Sequence, residues 1–140
     1  MADYQIHCDL NPTPGDCRDL TAKLVAYNTQ FIETDRIDRI AVFIRNNGGE
    51  IIGGATGWVK LNWLSIDIVW LAEELRGKGV GREMLGQIEQ MARRRGCDHV
   101  HLDTFDFQAL GFYQKLGFEI FGILDDYPTG HKRFYLKKEI

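Results

Sequence analysis

The chain has 140 residues, the usual size of one domain, with 44% hydrophobic and 26% charged residues, as in an ordinary soluble protein. Its formal net charge of −3 leaves no basic excess that would favour nucleic acid as a partner. No apolar run is long enough to cross a membrane, and the N-terminus lacks the apolar core of a signal peptide. We therefore predict a single domain over residues 1–140 that binds neither nucleic acid nor membrane.

The cysteines and histidines indicate compartment and metal content. Cys8, Cys17 and Cys97 are an odd number without close spacing, which is typical of free thiols in a reducing cytoplasm. The three cysteines and four histidines show no spacing typical of metal ligands. We expect a cytoplasmic protein without a metal site.

The N-terminal quarter of the chain predicts one strand and one helix. Apolar and polar residues alternate over residues 4–8, which predicts a strand. Asn11–Gly15 interrupts it, and an apolar periodicity from Asp16 onward predicts a helix. Residues 28–38 are polar and are predicted to be irregular or to form a second short helix.

Three strands follow. Asn46–Gly49 separates the apolar runs 40–45 and 50–59, which predicts a tight hairpin. Residues 63–71 form the next strand. If its pairing is regular, one face carries Ser65, Asp67, Val69 and Leu71.

A glycine-rich loop, Leu75–Arg82, then leads into an amphipathic helix with apolar residues at 3.6-residue spacing. Glu89 and Arg93 are predicted to pair on the solvent side of that helix, and Gly96 to end it. Alternating glycines and basic residues at a helix N-terminus point several amide groups at one spot and favour a bound phosphate. The loop is therefore a candidate pyrophosphate site.

Two common phosphate-binding motifs do not fit the loop. A Walker A loop needs Lys-Ser/Thr after its last glycine, whereas Gly81 is followed by Arg82 and Glu83. The third glycine of a dinucleotide fingerprint falls on Arg82 or on Met84, although Asp103 imitates the ribose-binding acid. Nucleotide binding of that type remains a weaker alternative.

The remaining segments complete a mixed α/β pattern. We predict a strand over 97–103, a short helix capped by Asp106 and ended by Gly117, and a closing hairpin of strands 118–124 and 132–138. The crossover through the glycine loop implies a parallel strand pair in the middle of the sheet. The predicted fold is α/β, with a mixed sheet of about six or seven strands and about four helices.

Two motifs resemble those of the Gcn5-related N-acetyltransferases (GNAT). Arg76–Gly81, RGKGVG, matches the family signature Gln/Arg-x-x-Gly-x-Gly/Ala, and Ala109–Phe118, ALGFYQKLGF, looks like its A-x-x-x-Y-x-x-x-G-F motif. The resemblance covers about residues 64–124. Glu73 replaces a proline common before the loop, and Asp106 (or Gln108) replaces an asparagine frequent before the alanine.

The resemblance implies acetyl-coenzyme A as cosubstrate, held in a gap where two parallel strands splay apart. The loop amides from Leu75 or Arg76 through Gly81 are implied to wrap its pyrophosphate, and main-chain groups of the preceding strand to pair with its pantetheine arm. The implied cofactor-binding residues are Val69, Leu71, Arg76, Gly77, Lys78, Gly79, Val80, Gly81, Asp106, Ala109, Phe112 and Tyr113.

The resemblance also implies direct attack of an amine on the thioester. The Leu71 backbone N–H is the candidate oxyanion donor, and Tyr113 occupies the position of the general acid that protonates the leaving thiolate. A protonated amine must lose a proton, and Asp67 or Glu73 is the candidate base.

Acceptor identity is the least determined feature. The resemblance implies that the first helices and the last hairpin shape the acceptor pocket. Acidic residues in these regions favour a small cationic amine; they are Glu33, Asp35, Asp38, Asp125 and Asp126. A basic peptide or protein acceptor and a non-catalytic acyl-coenzyme A-binding module are the alternatives. A homodimer through the edge of the last strand is also predicted.

Overall fold

The computed structural model describes residues 3–33 and 36–140, which fall into two compact units separated between residues 33 and 36. In the first unit, helix α1 spans Pro14–Asn28. It begins at Thr13, whose hydroxyl accepts a hydrogen bond from the Asp16 amide at 3.1 Å. None of the residues of α1 is buried.

The strand predicted over residues 4–8 is wrong, because residues 3–13 form no strand. Alternating side chains do not make a strand without a ladder partner for the backbone. Of the segment 28–38, predicted to be irregular or a second short helix, residues 29–33 form turns and bends, in agreement with the irregular alternative. Thr34 and Asp35 lie outside the described residues, and residues 37 and 38 belong to the strand Ile37–Arg45.

The second unit contains a six-stranded mixed sheet in the order β1-β2-β3-β4-β6-β5. Its strands are β1 (Ile37–Arg45), β2 (Ile51–Lys60), β3 (Trp63–Leu71), β4 (His99–Phe105), β5 (Glu119–Asp125) and β6 (Lys132–Glu139). Strands β3 and β4 are parallel, and every other neighbouring pair is antiparallel. The predicted fold class is confirmed.

The helices of this unit are α2 (Val80–Arg93) and α3 (Leu110–Lys115), so the described residues contain three α-helices rather than about four. The tight turn between β1 and β2 is confirmed, since the Asn46 side chain accepts hydrogen bonds from the amides of Gly48 and Glu50. Strand β6 lies inside the sheet, and β5 occupies its edge. A dimer contact through a sheet edge would therefore fall to β5 or β1, and not to the last strand.

Helix α2 buries its predicted apolar stripe against one face of the sheet. Met84, Leu85, Ile88 and Ala92 are all buried and join the core formed with the strands. Full burial of a leucine or isoleucine side chain contributes about 1.5–3 kcal/mol. This packing fixes the start of α2, and with it the glycine loop, against the end of β3.

The prediction that Glu89 lies on the solvent side of α2 is wrong. Its side chain is only 7% exposed, and its carboxylate lies 2.9 Å from the Lys138 ammonium of β6. Arg93, the predicted partner, is more distant at 4.0 Å. Lys138 also donates a hydrogen bond to the Leu116 carbonyl at the end of α3, so one cation joins α2, α3 and β6.

The parallel pair opens into a gap. β3 and β4 pair only at three positions, of which Ser65 opposite His101 is the last. Beyond this rung β3 continues for six residues to Leu71, about 20 Å at 3.3 Å per residue. The structure therefore shows two parallel strands that separate in the middle of the sheet.

A bulge in β3 changes which residues share a face. Thr56 pairs with Ile68 and Gly57 pairs with Ile66, so Asp67 has no opposite partner. Val69 and Leu71 pack against the core, whereas Asp67 points to the opposite face, where it meets Thr56. The condition of regular pairing is therefore not met, and the four side chains do not share one face.

Candidate active site

The end of β3 presents main-chain groups to the gap. The Ala72 amide donates to the Ile52 carbonyl on β2 at 2.8 Å. Because backbone groups of successive strand residues point to opposite sides, the N–H groups of Leu71 and Val69 face the gap. The Leu71 carbonyl, which faces the same way, accepts a hydrogen bond from the Arg76 guanidinium at 3.0 Å.

The glycine loop contains unpaired amides. The amides of Leu75 and Arg76 already donate to the carbonyls of Ala72 and Glu73. The amides of residues 77–82, by contrast, donate no backbone hydrogen bond to any residue that the structure describes. They lie at the positive end of the α2 dipole beside the exposed side chains of the loop, so they form an anion-binding arrangement.

Two glycines give the loop its shape. Gly77 and Gly79 have φ angles of 73° and 80°, in the left-handed region that glycine adopts without steric cost. Gly79 is the N-cap of α2, and no side chain caps this helix. The first-turn amides of α2 therefore remain available to a ligand.

Gly81 allows the loop, the strand end and α3 to pack closely. A Cβ atom at this position would lie 2.9 Å from Cζ of Phe112 and 3.3 Å from Cδ1 of Leu71. Such a distance is too short for ordinary contact, so only glycine fits without a shift of its neighbours. The Phe112 ring thus joins the two sequence motifs in one site.

Tyr113 is a buried phenol at the same site. It is 7% exposed and packs against the rings of Phe112 and Phe118, at centroid distances of 5.2 and 5.8 Å. Burial, together with the negative charge of Asp103, raises the pKa of Tyr113 to about 12. The phenol is therefore protonated at neutral pH, and in the described part of the chain its hydroxyl has no hydrogen-bond partner.

The turn before α3 differs from the prediction. Asp106 does not cap the helix, since α3 begins after Ala109 without a side-chain cap. The Asp106 carboxylate instead contacts His131 Nδ1 at 2.8 Å and accepts from the Lys132 amide at 2.9 Å. These hydrogen bonds outweigh the effect of desolvation and lower the pKa of Asp106. The Gln108 side chain closes the turn by accepting a hydrogen bond from the Phe105 amide at 2.8 Å.

The two candidate bases have different surroundings. Asp67 accepts hydrogen bonds from Thr56 at 2.7 Å and from Arg39 at 2.9 Å. Burial acts to raise the pKa of Asp67, but these two hydrogen bonds outweigh it and lower the pKa. Glu73 begins the short 3₁₀ turn after β3 and has an exposed side chain.

Sequence reasoning missed an aromatic cavity at the closed end of the gap. Its volume is about 490 Å³, and it lies on the sheet face opposite α2. Its lining residues are Ile37, Trp58, Lys60, Leu61, Asn62, Trp63, Ser65 and His101. The available signal was the pair of tryptophans flanking the β2–β3 turn, where Trp58 opposes Ser65 and Trp63 opposes Lys60.

His101 lies in this cavity as a neutral ring. Burial lowers the pKa of His101, and the nearby charge of Asp103 acts in the opposite direction without reversing the shift. Its ring meets the edge of Trp63 at a centroid distance of 5.6 Å. At neutral pH the imidazole therefore offers the cavity one donor and one acceptor nitrogen.

Over 3–33 and 36–140, no group of three or more His, Cys, Asp or Glu side chains is placed to hold a metal ion. Within the same residues, no helix combines the length and the apolar character needed to span a bilayer.

The geometry agrees with known proteins. A family model described as "Acetyltransferase (GNAT) family" matches residues 5–118. Blasticidin-S acetyltransferase of Streptomyces morookaense is 34% identical over 113 residues, which cover 80% of this chain and 83% of the relative. Acetyltransferase Atu2258 of Agrobacterium fabrum is 34% identical over 116 residues, covering 82% and 84%.

A solved structure extends the match to the fold. The crystal structure of an acetyltransferase from Bacillus cereus superposes with a TM-score of 0.84 at 32% identity, over 96% of this chain and 98% of the other. The glycine loop, the gap beside it and Tyr113 are thus found in a chain whose sequence and fold both match acetyltransferases. The chain belongs to the acetyltransferase (GNAT) family and is an acetyl-coenzyme A-dependent N-acetyltransferase.

Proposed function

We propose that the protein transfers the acetyl group of acetyl-coenzyme A to a primary amine of a small molecule, by direct attack in a ternary complex. The observation that carries this proposal is the position of the gap directly beside the unpaired loop amides. A pyrophosphate at residues 77–82 leaves room for an extended arm along β3.

The cosubstrate fits the residues at this site. Gly77, Gly79 and Gly81 keep side chains away from the amides, and Lys78 adds a cation at the loop. Along the gap, the Val69 N–H lacks a neighbouring strand, and an amide group of the arm is a suitable partner, while the Leu71 N–H remains for the thioester carbonyl. Arg76 contributes by holding the Leu71 carbonyl, while its own amide is already paired.

Two groups of the chain act on the reacting thioester. The Leu71 N–H donates to the carbonyl oxygen as it becomes negatively charged during attack. Tyr113 donates its proton to the departing sulfur, and its pKa of about 12 ensures that the proton is present at neutral pH. Phe112 and Ala109 place this phenol through the packing and first turn of α3.

The attacking amine must first lose a proton. Asp67 is the weaker of the two predicted bases, since both of its oxygens accept hydrogen bonds and its pKa is lowered. Glu73 is exposed directly after the end of β3, beside the mouth of the gap. We therefore assign the proton transfer to Glu73, directly or through water.

The proposal of a small-molecule acceptor does not rest on the acidic residues. Asp38 pairs with Arg36 at 2.9 Å, and Asp125 lies 3.5 Å from Lys132. Asp126 accepts a hydrogen bond from the Gly130 amide. These carboxylates are thus engaged locally, whereas the name of the Streptomyces relative indicates a small-molecule substrate for that protein.

Thiol release from acetyl-coenzyme A, measured with a panel of primary amines, tests this function. We expect Tyr113→Phe to lower kcat roughly 100-fold, the lower range for loss of a general acid, with KM for acetyl-coenzyme A unchanged. Tyr4→Phe is the matched control, because Tyr4 is 72% exposed in the other unit. Coenzyme A binding without turnover of any amine would contradict the proposal.

A further inference from the structure

The three tryptophans of the chain differ in what contacts their rings. His99 stacks on Trp63 at a centroid distance of 4.6 Å, and the Arg39 guanidinium lies 4.3 Å from the Trp58 ring centroid. In the part of the chain that the structure describes, the Trp70 ring has neither an aromatic nor a cationic partner, and it is 50% exposed. Trp70 therefore offers a large apolar contact area to a ligand.

The covalent structure places the Trp70 ring beside the candidate oxyanion donor. Trp70 directly precedes Leu71, and the Leu71 N–H belongs to the planar peptide group that joins the two residues. Standard bond lengths put the Trp70 Cα about 2.4 Å from the Leu71 nitrogen. A thioester carbonyl held by this N–H therefore lies close to the indole.

The two faces of β3 differ at this point. Leu71 points into the core, where a Cβ atom at Gly81 would lie 3.3 Å from one of its methyl carbons and one at Gly53 would lie 2.7 Å from the other. Phe112 packs at Gly81 as well, so this face is filled. Successive strand residues point to opposite faces, which places the half-exposed Trp70 on the other face. An amine reaches the carbonyl on that face without displacing packed side chains.

The apolar surface at Trp70 continues across two neighbouring strands. Gly54 lies opposite Trp70 on β2, and Phe43 lies opposite Gly54 on β1 and is 52% exposed. A Cβ atom at Gly54 would lie 2.9 Å from the Val42 carbonyl oxygen, so only glycine fits between the two aromatic residues without a shift of the strand. Trp70, Gly54 and Phe43 together form what we call the Trp70 surface.

Charged groups at the two ends of the Trp70 surface indicate how an amine lies on it. Glu73 follows Trp70 by three residues and has an exposed side chain. At the other end, the Arg45 guanidinium lies 5.5 Å from the Phe43 ring centroid and donates a hydrogen bond to the Gly49 carbonyl. The carboxylate attracts an ammonium group, and the guanidinium repels one. The amino group therefore lies toward Glu73, and the uncharged part of the molecule lies across the surface.

We propose that Trp70 determines acceptor specificity by binding an apolar group that the acceptor carries next to its primary amino group. The indole contacts this group beside Leu71, and Phe43 contacts the part of it that extends across Gly54. The inference rests on the proposed function, which holds the thioester at the Leu71 N–H. It narrows the acceptor from any small primary amine to one with an apolar flank.

Steady-state rates with acetyl-coenzyme A and two amines test the inference. Phenethylamine carries a ring two carbons from its amino group, and ethanolamine carries a hydroxyl there. We expect kcat/KM for phenethylamine to exceed that for ethanolamine by on the order of tenfold, as for other aromatic contacts with desolvation. Trp70→Ala should remove this preference by raising KM for phenethylamine, with KM for acetyl-coenzyme A unchanged. Trp70→Phe should retain part of the preference.

Two further variants control for folding and for the loss of an exposed indole. Trp70→Gln keeps a long side chain without a ring and replaces Trp70→Ala if the latter does not fold. Trp58→Ala is the matched control, because Trp58 is 42% exposed but pairs with Ser65, six residues before Leu71. It should leave the preference unchanged. Equal kcat/KM for both amines, a preference that survives the Trp70 variants, or an equal loss in Trp58→Ala would overturn the proposal.

A binding measurement separates this inference from the proposed function. Calorimetric titration of phenethylamine into the protein saturated with coenzyme A requires no turnover. Binding that weakens roughly tenfold in Trp70→Ala and not in Trp58→Ala supports the proposal even if no amine is acetylated. Binding that is absent in the wild type, or equal in Trp70→Ala, refutes it even if other amines are acetylated.

Sedimentation tests whether a second copy of the chain takes the place of the acceptor. We expect the wild type and Trp70→Ala to have the same oligomeric state. A dimeric wild type with a monomeric Trp70→Ala variant of unchanged amine preference would assign the Trp70 surface to a contact between copies and would overturn the proposal.

Discussion

The two ends of strand β3 are built from different parts of the chain. At its C-terminal end, near Leu71, the candidate contacts are main-chain amides of the strand and of the glycine loop. At its N-terminal end, near Trp63, the cavity is walled by side chains of β2, β3 and β4. Six residues of β3 that do not pair with β4 separate the last β3–β4 rung from the loop end.

The two ends differ in how strongly their binding properties depend on the amino-acid sequence. Main-chain amides are the same in every sequence, so a site made from them needs only glycines that keep side chains away. Side-chain walls can change with each substitution, and they set the choice of ligand. The end of β3 near Leu71 therefore depends on backbone conformation, whereas the end near Trp63 depends on which side chains are present.

The strongest test of the C-terminal end of β3, where main-chain amides of the strand and the glycine loop are the candidate contacts (the main-chain end), is Gly79→Asp. A carboxylate at the helix N-cap, at a residue with φ of 80°, repels the pyrophosphate and strains the loop. We expect the Kd for coenzyme A to rise on the order of a thousandfold, about 4 kcal/mol, as charge-assisted hydrogen bonds are lost. Equilibrium titration measures this change.

Gly86→Asp provides the matched control for that variant. Gly86 lies on the exposed side of α2, where a Cβ meets no atom within 4 Å. It carries the same new charge on the same helix, away from the loop. Equal affinity losses in both variants would show that the loop does not hold the pyrophosphate.

Lys138→Met tests the packing of α2 and α3 on the sheet, which supports both ends of β3. This change leaves the buried Glu89 carboxylate without its partner at 2.9 Å and removes a hydrogen bond to the end of α3. We expect a loss of about 3 kcal/mol in the free energy of unfolding, measured by urea denaturation. The double variant Lys138→Met with Glu89→Gln should recover part of it, and no recovery would argue against the ion pair as the cause.

The smallest change in the free energy of unfolding is expected for Asp67→Asn. Asp67 lies toward the N-terminal end of β3, where side chains wall the cavity (the side-chain end). The folded pKa of Asp67 is lowered, so its ionised form contributes stability above pH 3.8, which is lost as pH falls through the folded value. Because the carboxylate is 37% exposed, solvent screening keeps this contribution under about 1 kcal/mol at pH 7. The difference in stability between wild type and variant should shrink toward pH 3, and a constant difference would exclude linkage to Asp67.

The sequence predicted the main-chain end better than the side-chain end for a physical reason. The spacing of Gly77, Gly79 and Gly81 and the position of Tyr113 are local patterns, which indicated the loop and its family directly. The bulge at Asp67 depends on how β2 pairs with β3, and no local pattern marks it. Glu89 appeared to face solvent because its partner Lys138 is 49 residues away in sequence.

The other wrong or missed predictions also depend on contacts between residues that are distant in sequence. Residues 4–8 alternate correctly for a strand but have no ladder partner in the described structure. Asp106 precedes a helix at a plausible distance for a cap, yet it bonds to His131 and Lys132 where β6 begins. The aromatic cavity requires the β2–β3 hairpin and the parallel β4 to be in place before its walls meet.

The hydrogen bond from Arg76 to the Leu71 carbonyl determines which hydrogen-bonding group the mouth of the gap offers to a ligand. At this residue the strand edge offers a donor, while its acceptor is already occupied by a guanidinium. At Leu71 the edge therefore favours a carbonyl oxygen of a ligand over an N–H, since the carbonyl oxygen gains a donor there. An analogue of the cosubstrate in which a methylene group replaces the thioester carbonyl would lose this contact while keeping the length, charge and phosphates of the cosubstrate.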